Sequence, residues 1–126
     1  MTTTPNAKKV LIVDDDTRNI FALSLTLRSK GYACLSSTDA VKAIDMIQQD
    51  DSIGVVLMDM MMPEMDGYEA LGRIRGNKQI QDIPVFAVTA QAMPGDREKC
   101  LEAGANAYIS KPVNVDLLID LLNTYL

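Results

Sequence analysis

The chain has 126 residues, 48% of them hydrophobic, a size and composition that suit one compact domain with one core. Asp and Glu outnumber Lys and Arg by 17 to 12, and no basic cluster accompanies the aromatic residues, which argues against direct nucleic-acid binding. No apolar run approaches the roughly 20 residues of a membrane span, and the first residues lack the apolar core of a secretory signal. We therefore expect a cytoplasmic protein without a membrane segment.

Histidine is absent from the sequence. This excludes Ser-His-Asp and Cys-His catalysis, histidine-ligated zinc and a phosphohistidine on this chain. Cys34 and Cys100 lie in unrelated segments without a CxxC pair, so we interpret them as reduced side chains packed in the interior. Any chemistry must therefore use carboxylates, hydroxyls, amines and backbone groups.

Short aliphatic runs alternate with segments of helical period five times along the chain. The first half contains a predicted strand at 10–13, a helix with Ile20, Leu23 and Leu27 that stops at Gly31, a strand at 33–36, a helix capped by Asp39 and a strand at 53–58. The second half contains a helix from about Tyr68 to Gly76, a strand at 84–88, a helix at 94–103 closed by Gly104, a strand at 107–110 and a helix at 115–126.

Three of the predicted strands, at 10–13, 53–58 and 85–88, are apolar throughout, as burial on both faces of a parallel sheet requires. With right-handed crossovers, five such units predict an open, doubly wound α/β sheet. Ligands of such sheets bind outside the carboxyl ends of the strands.

Polar residues follow four of the five predicted strands. The first strand leads into Asp14, Asp15 and Asp16, the third into Asp59, the fourth into Thr89 and Ala90, and the fifth into Ser110, Lys111 and Pro112. Taken singly, each of these residues is explained as well by a solvated loop, a turn or a helix cap. Their convergence on one edge of the sheet predicts a site.

The acids at this edge create an electrostatic problem, because two carboxylates about 4 Å apart repel by about 4 kcal/mol at an effective dielectric of 20. Lys111 offsets one negative charge, and protonation or a divalent cation must relieve the rest. Oxygen ligands favour Mg²⁺, with Mn²⁺ as the alternative. The four methionines that follow Asp59 are interpreted as packing and not as a thioether copper site.

An acidic metal pocket without histidine suits phosphoryl chemistry in which an aspartate is the nucleophile and forms an acyl phosphate. Asp59 would be that nucleophile, while Lys111 and the Thr89 hydroxyl would bind phosphoryl oxygens.

Four segments in this order and spacing resemble the receiver domain of two-component response regulators: VLIVDDD (10–16), VLMDMMMPEMDG (56–67), AVTA (87–90) and YISKP (108–112). The resemblance implies a flavodoxin-like (βα)5 fold with strand order 2-1-3-4-5, residues 1–8 being an N-terminal tail and 9–126 the receiver domain. It extends to receivers of hybrid histidine kinases and to stand-alone chemotaxis-type regulators, and both remain open.

The same resemblance implies roles for individual residues. Asp59 would accept a phosphoryl group from a phosphohistidine on a sensor histidine kinase or a histidine phosphotransfer protein. The implied metal ligands are Asp14, Asp15, Asp59 and the backbone carbonyl of Met61. The implied phosphoryl-binding and switch residues are Thr89, Ala90, Lys111 and Tyr108, and the bond before Pro112 would be cis. Met61 and Gln91 occupy the positions that tune the lifetime of the phosphoryl group.

We expect the switch to change the face formed by the fourth helix, the fifth strand and the fifth helix, since these follow Thr89 and Lys111 in the chain. The last helix is apolar over a wide arc (Leu117, Leu118, Leu121 and Leu122), which either packs fully or leaves a patch for a protein target or a homodimer. Self-dephosphorylation is expected, but no other enzyme activity.

Three rival functions fit the sequence less well. A phosphatase or mutase resembling the haloacid dehalogenase group needs a second acid two residues after the nucleophile, where this chain has Met61. A flavodoxin-like FMN binder needs a phosphate-cradling first loop, which three aspartates would repel. A receiver-shaped module that has lost phosphorylation is disfavoured by the presence of all five polar site residues.

Overall fold

The computed structural model describes residues 8–90 and 93–126. Within these residues, five strands alternate with five helices: β1 (Lys9–Val13), α1 (Thr17–Ser29), β2 (Ala33–Ser37), α2 (Ala40–Gln49), β3 (Ile53–Asp59), α3 (Gly67–Arg75), β4 (Val85–Thr89), α4 (Asp96–Glu102), β5 (Ala107–Ser110) and α5 (Val115–Tyr125). The strands form one parallel sheet in the order β2-β1-β3-β4-β5. The predicted flavodoxin-like fold and its strand order are confirmed.

The sheet is buried on both faces, as the uniformly apolar strands predict. Alternate strand residues such as Leu11, Val56 and Ala87 pack with α2, α3 and α4, and their neighbours, such as Ile12 and Leu57, pack with α1 and α5. Cys34 and Cys100 are both free and buried, in agreement with the sequence interpretation. In the described ranges, no helix is long and apolar enough to cross a membrane.

Four helices begin at a residue whose side chain accepts hydrogen bonds from the first helical amides. These N-caps are Asp16 for α1, Asp39 for α2, Asp66 for α3 and Asn114 for α5. Such caps satisfy amides that have no partner inside the helix. The remaining helix, α4, begins instead at Gly95, which has no side chain and adopts a left-handed conformation with φ of 84°.

Three strands extend one residue further at their carboxyl ends than predicted, β2 to Ser37, β3 to Asp59 and β4 to Thr89, so that two polar site residues belong to the sheet itself. Asp59 is the last residue of β3 and pairs with Val88, and Thr89 is the last residue of β4 and pairs with Ser110. The backbone ladder continues through these positions because ladder hydrogen bonds do not depend on the polarity of the side chain.

The predicted fourth helix, 94–103, is longer than the observed one, which covers Asp96–Glu102. It ends before Gly104, whose φ of 115° favours glycine. The predicted wide apolar arc of the last helix is mostly packed. Leu118 and Leu122 are fully buried and Leu121 is partly buried, whereas Leu117 is exposed.

Candidate functional site

Two buried carboxylates lie side by side at the carboxyl edge of the sheet. Asp59 ends β3 and Asp14 follows β1, and these strands pair so that Val13 lies beside Met58. Only 7% of Asp14 and 5% of Asp59 is exposed. Ionised groups are seldom buried to this extent unless they are paired or bind a cation. These two aspartates are therefore the first candidates for chemistry at this edge.

Each of these carboxylates is fixed in the same way by the backbone that follows it. The Asp16 amide donates to Asp14 Oδ1 at 2.8 Å, and the Met61 amide donates to Asp59 Oδ1 at 2.9 Å. These contacts are Asx turns, in which a side chain accepts from the amide two residues later. One oxygen of each carboxylate is thus locked, and the orientation of the other oxygen is set.

Lys111 lies between the two remaining carboxylate oxygens. Its Nζ donates to Asp14 Oδ2 at 3.1 Å and to Asp59 Oδ2 at 3.5 Å. The following Lys111–Pro112 peptide bond is cis, the isomer that the resemblance implies. One ammonium group is therefore shared by two carboxylates that come from distant parts of the chain.

The ionisation of this group reflects both burial and mutual charge. Burial raises the pKa of the Asp59 carboxyl, and the Asp14 charge acts in the same direction, against the opposing effects of the Met61 amide and Lys111. Burial alone would lower the pKa of the Lys111 ammonium, but the hydrogen bond to Asp14 and the charges of Asp59 and Asp14 raise it overall. Lys111 is therefore firmly protonated. Its charge and the Met61 amide favour the ionised form of Asp59, whereas burial disfavours it.

Asp15 completes a cluster that we call the acidic pocket, formed by Asp14, Asp15 and Asp59. One carboxylate oxygen from each lies within 4.8 Å of the others, and Asp15 is exposed while its neighbours are buried. Carboxylate oxygens at this spacing fit a hard cation such as Mg²⁺ that retains several waters. The donor set of the pocket thus fits the metal predicted from the sequence.

The methionines that follow Asp59 divide into packing residues and one surface residue. Met60, Met62 and Met65 are buried in the core, whereas 51% of Met61 is exposed. Three of the four methionines therefore pack in the core, as interpreted from the sequence. Met61 lies beside the acidic pocket, joined to Asp59 through its own amide.

Thr89, at the end of β4, is 2% exposed, and the next residue, Ala90, is exposed at the same edge. Asp59 lies beside Val88 in the sheet, so the polar end of β4 adjoins the acidic pocket. The predicted lifetime-tuning residue Gln91 and residues 1–7 of the predicted N-terminal tail lie outside the described residues.

Tyr108 points away from the acidic pocket and toward α4. Its hydroxyl donates to Asp96 Oδ2 at 2.8 Å, and the Tyr68 hydroxyl of α3 donates to Asp96 Oδ1 at 3.2 Å. The sequence motifs do not predict a role for Asp96 or Tyr68. An acid in the first turn of a helix that follows Thr89 was the available signal, but nothing in its spacing connects it with two tyrosines.

A groove of about 540 Å³ opens between α1 and the segment that follows β5. Its walls are mainly aliphatic, with Leu23 on α1 facing Val113, and its polar end is formed by Asp14, Asp59 and Lys111. The acidic pocket is therefore accessible from the side of α1.

Comparisons with known proteins agree with this geometry. The family model for the response regulator receiver domain matches residues 10–123. The polar-differentiation response regulator DivK of Brucella ovis is 34% identical over 119 residues, which cover 94% of this chain and 96% of that protein.

Two solved structures share the fold closely. The receiver domain of sensor histidine kinase PA1611 from Pseudomonas aeruginosa, solved with a magnesium ion coordinated in the active site cleft, is 34% identical with a TM-score of 0.84, over 94% of this chain and 97% of that chain. A chain from the co-crystal structure of the Saccharomyces cerevisiae histidine phosphotransfer signaling protein Ypd1 with the receiver domain of Ssk1 is 25% identical with a TM-score of 0.82, over 94% and 88%.

Proposed function

The chain belongs to the response regulator receiver domain family, whose members are phosphoacceptors in two-component signalling, and we propose that Asp59 is its phosphorylated residue. The observation that carries this proposal is the placement of Asp59. It is buried at the carboxyl edge of the sheet, with one oxygen bonded to the Met61 amide and the other 3.5 Å from Lys111. A nucleophile fixed in this way needs little reorganisation before it attacks.

The transfer exchanges one bond to phosphorus for another. Asp59 Oδ2 attacks the phosphorus of a phosphohistidine on the partner, the P–O bond forms, and the electron pair of the broken P–N bond returns to the imidazole. Lys111, which is shared with Asp14 beforehand, then pairs with a phosphoryl oxygen. Thr89 and Ala90, at the end of the neighbouring strand, contact another oxygen.

Mg²⁺, with Mn²⁺ as the alternative, is the proposed cofactor. Asp14, Asp15, Asp59 and the backbone carbonyl of Met61 would hold it, and it would supply positive charge that offsets the carboxylates and the phosphoryl oxygens. The PA1611 receiver, with magnesium in its cleft, supports the same cofactor for this chain. The fit of the oxygen donors in the acidic pocket is the supporting observation in this molecule.

Loss of the phosphoryl group by hydrolysis is proposed as the reset of the signal. Met61 cannot orient a water molecule by hydrogen bonding, because its thioether is only a weak acceptor. Its side chain is half-exposed at the surface. Gln91 is proposed as the second residue that tunes the lifetime.

The proposed phosphodonor is a sensor histidine kinase or a histidine phosphotransfer protein, and the Ypd1 complex supports the second kind. Phe21 and Leu25 lie one turn apart on α1 and are 69% and 61% exposed. Since α1 begins directly after the acidic loop, we propose that this apolar pair packs against the donor.

The output of the domain is proposed to be a protein target or a homodimer bound through α4, β5 and α5.

The first test is phosphorylation by acetyl phosphate with Mg²⁺, read by intact mass. The wild-type chain is expected to gain one phosphoryl group, and Asp59→Asn none, because an amide is not a nucleophile of this kind. Asp45→Asn, which changes an exposed acid on α2, is the matched control and should be modified like the wild type. A wild type without the mass gain, or an Asp59→Asn variant that gains as much, would disprove the proposal.

A second test separates the chemistry from donor recognition. Phe21→Ala should slow transfer from a phosphorylated histidine phosphotransfer protein by roughly tenfold, because a large apolar contact is lost. Transfer from acetyl phosphate, which is too small to reach α1, should be unchanged. If Phe21→Ala accepts the phosphoryl group as fast as the wild type from both donors, the proposed docking surface is disproved and the role of Asp59 is unaffected.

A further inference from the structure

Asp96 connects three elements through its two carboxylate oxygens. Oδ1 accepts from the Tyr68 hydroxyl of α3 at 3.2 Å, and Oδ2 accepts from the Tyr108 hydroxyl of β5 at 2.8 Å. Asp96 itself is the first residue of α4. We call this set of Tyr68, Asp96 and Tyr108 the tyrosine clasp.

The clasp lies at the weakly anchored end of α4. This helix has seven residues and begins at Gly95, which offers no capping side chain. Inside the helix Cys100 is fully buried, and Lys99 lies over the Tyr68 ring with its Nζ 4.7 Å from the ring centroid. The two hydrogen bonds of Asp96 therefore add side-chain anchors to a first turn whose backbone amide of Lys99 donates to the Gly95 carbonyl.

The clasp also fixes the rotamer of Tyr108 on the face of the sheet that carries Thr89. Tyr108 pairs with Ala87, and Thr89 pairs with Ser110 two residues further along the same two strands. Side chains two residues apart on a strand share a face, so Thr89 is the diagonal neighbour of Tyr108 toward the acidic pocket. Rotamer wells lie roughly 120° apart, and a change of well would take the hydroxyl out of reach of Asp96.

We propose that Asp96 is a positioning residue that holds Tyr108 against α4, so that the strength of this clasp sets how readily the domain switches. The inference rests on the proposed function and on the switch role that the resemblance to receiver domains implies for Tyr108, in which its side chain turns toward Thr89 when Asp59 is phosphorylated. The clasp must open for that turn, which releases Tyr108 and the first turn of α4 together. Asp96 thereby couples the aromatic switch to the output surface and to α3.

The state of the Tyr108 hydroxyl is consistent with this role. Burial, followed by the hydrogen bond to Asp96 and its charge, raises the pKa of Tyr108 to about 12. The hydroxyl therefore stays protonated and acts as a donor throughout the physiological pH range. Glu98 and Cys100 are the other titratable groups whose charge acts on it.

The test follows Tyr108 directly by ¹⁹F NMR of the full chain labelled with 3-fluorotyrosine. The sequence has four tyrosines, so the Tyr108 signal can be assigned with Tyr→Phe variants. Wild-type spectra with Mg²⁺ alone and with Mg²⁺ plus beryllium fluoride, an analogue of the phosphoryl group, define the two end points. Asp96→Ala should raise the ratio of switched to unswitched Tyr108 by roughly tenfold with Mg²⁺ alone, since a hydrogen bond to a charged group is lost.

Three variants control the comparison. Glu98→Gln removes an exposed acid from the same first turn of α4, and it should leave the ratio of switched to unswitched Tyr108 at its wild-type value, because Glu98 acts on Tyr108 through its charge and not through the hydrogen bond that Asp96 accepts. Asp96→Asn keeps one acceptor oxygen and should give an intermediate ratio. Tyr68→Phe leaves the Asp96 carboxylate less well oriented and should shift the ratio in the same direction by a smaller factor.

The outcomes separate this inference from the function on which it rests. If the wild-type Tyr108 signal moves with beryllium fluoride but Asp96→Ala has the same ratio of switched to unswitched Tyr108 as Glu98→Gln, the clasp is overturned and the receiver function stands. A loss of thermal stability in Asp96→Ala without a change in the Tyr108 ratio would overturn it as well, because that result indicates a structural role only. Failure of Asp59 to be phosphorylated would instead remove the proposed function.

By linkage, the clasp must also affect ligand binding. If Asp96→Ala favours the switched state, beryllium fluoride should bind the variant more tightly, by no more than the factor by which the Tyr108 ratio rises. An unchanged affinity together with a tenfold shift of Tyr108 would disprove the coupling between the clasp and Asp59.

Discussion

The acidic pocket and the α4–β5 region are held in place by different kinds of contact. In the pocket, Asp14 and Asp59 each accept a backbone amide at 2.8 and 2.9 Å, and the adjacent helix α1 starts at a side-chain cap. In the α4–β5 region the short helix starts at a glycine, and the hydroxyls of two tyrosines meet one aspartate. Each buried carboxylate of the first region is thus held by a backbone amide, whereas the Asp96 carboxylate of the second is held by side-chain hydroxyls.

This difference indicates a division between a part that must not move and a part that can. A backbone amide two residues from its acceptor cannot leave without unfolding the turn, so the nucleophile keeps its orientation. A tyrosine hydroxyl leaves its acceptor by one change of rotamer. The pocket is thus preorganised for chemistry, and the neighbouring region has a small set of bonds that a local event can break.

The largest expected effect tests whether the α4–β5 region is weakly held at both edges of the sheet or only at the edge near the acidic pocket. Arg75, at the end of α3, donates from Nε and Nη2 to the Gly104 carbonyl at 3.0 and 2.8 Å, and from Nη1 to the carbonyls of Gln81 and Ile83 at 2.8 and 2.6 Å. These carbonyls precede β5 and β4, at the edge opposite the acidic pocket.

Arg75→Met should therefore lower the free energy of unfolding by about 3 kcal/mol, because partly buried carbonyls lose a charged donor. Urea denaturation measures this change. Arg73→Met, which removes an exposed ion pair with Glu69, is the control and should cost less than about 0.5 kcal/mol. Equal losses of stability in the two variants would mean that Arg75 does not anchor the α4–β5 region at the edge opposite the acidic pocket.

A second prediction concerns the capped helices. Asp39 accepts from the amides of Val41 and Lys42 at 2.7 and 3.1 Å at the start of α2. Asp39→Ala should lower the free energy of unfolding by about 1 kcal/mol, since these amides lose their partner. Asp45→Ala, on the exposed side of the same helix, should stay within about 0.5 kcal/mol of the wild type in the same denaturation experiment. If Asp39→Ala loses no more stability than Asp45→Ala, side-chain caps do not distinguish α2 from the uncapped helix α4.

Preorganisation of the pocket should itself reduce stability. Since burial and Asp14 raise the pKa of Asp59, the folded state binds a proton there more tightly than the unfolded state does. Stability therefore falls as the pH rises through the folded pKa of Asp59. In metal-free buffer at pH 7, Asp59→Asn should be more stable than the wild type by about 1 kcal/mol, or ~4 °C in Tm.

The pH dependence distinguishes this cause from a change in packing. The gap in Tm between Asp59→Asn and the wild type should narrow as the pH falls through the folded pKa of Asp59 toward the ordinary value of 3.8. A gap that stays constant between pH 7 and pH 4 would exclude ionisation of Asp59 as its source. Added Mg²⁺ should stabilise the wild type more than the variant.

The smallest expected effect is a difference in local opening. Amides in α4 should exchange with solvent roughly threefold faster than those at equivalent turns of α2, because α4 is short and lacks a side-chain cap at Gly95. Hydrogen exchange with mass spectrometry measures both helices in one sample. Slower exchange in α4 than in α2 would contradict the division between the two regions.

Particular residues show how far the sequence leads. Asp14, Asp59 and Lys111 could be assigned to one site from the sequence, because parallel strands bring their carboxyl ends to the same edge. The extension of β3 and β4 to Asp59 and Thr89 could not, since a polar side chain conceals a strand whose backbone continues to pair. The tyrosine clasp was also not predictable, because Tyr68, Asp96 and Tyr108 lie on three elements and share no periodic pattern.

The order of apolar runs, helix caps and strand-end acids determined the fold class and the residues at the acidic edge, because these depend on local periodicity and on the topology of parallel sheets. Only the tertiary structure decided that Asp14 is buried while Asp15 is exposed, that Lys111 lies between two carboxylates, and that Asp96 joins two tyrosines. Those outcomes depend on the docking of helices and on side-chain rotamers, which are set by contacts between residues far apart in the chain.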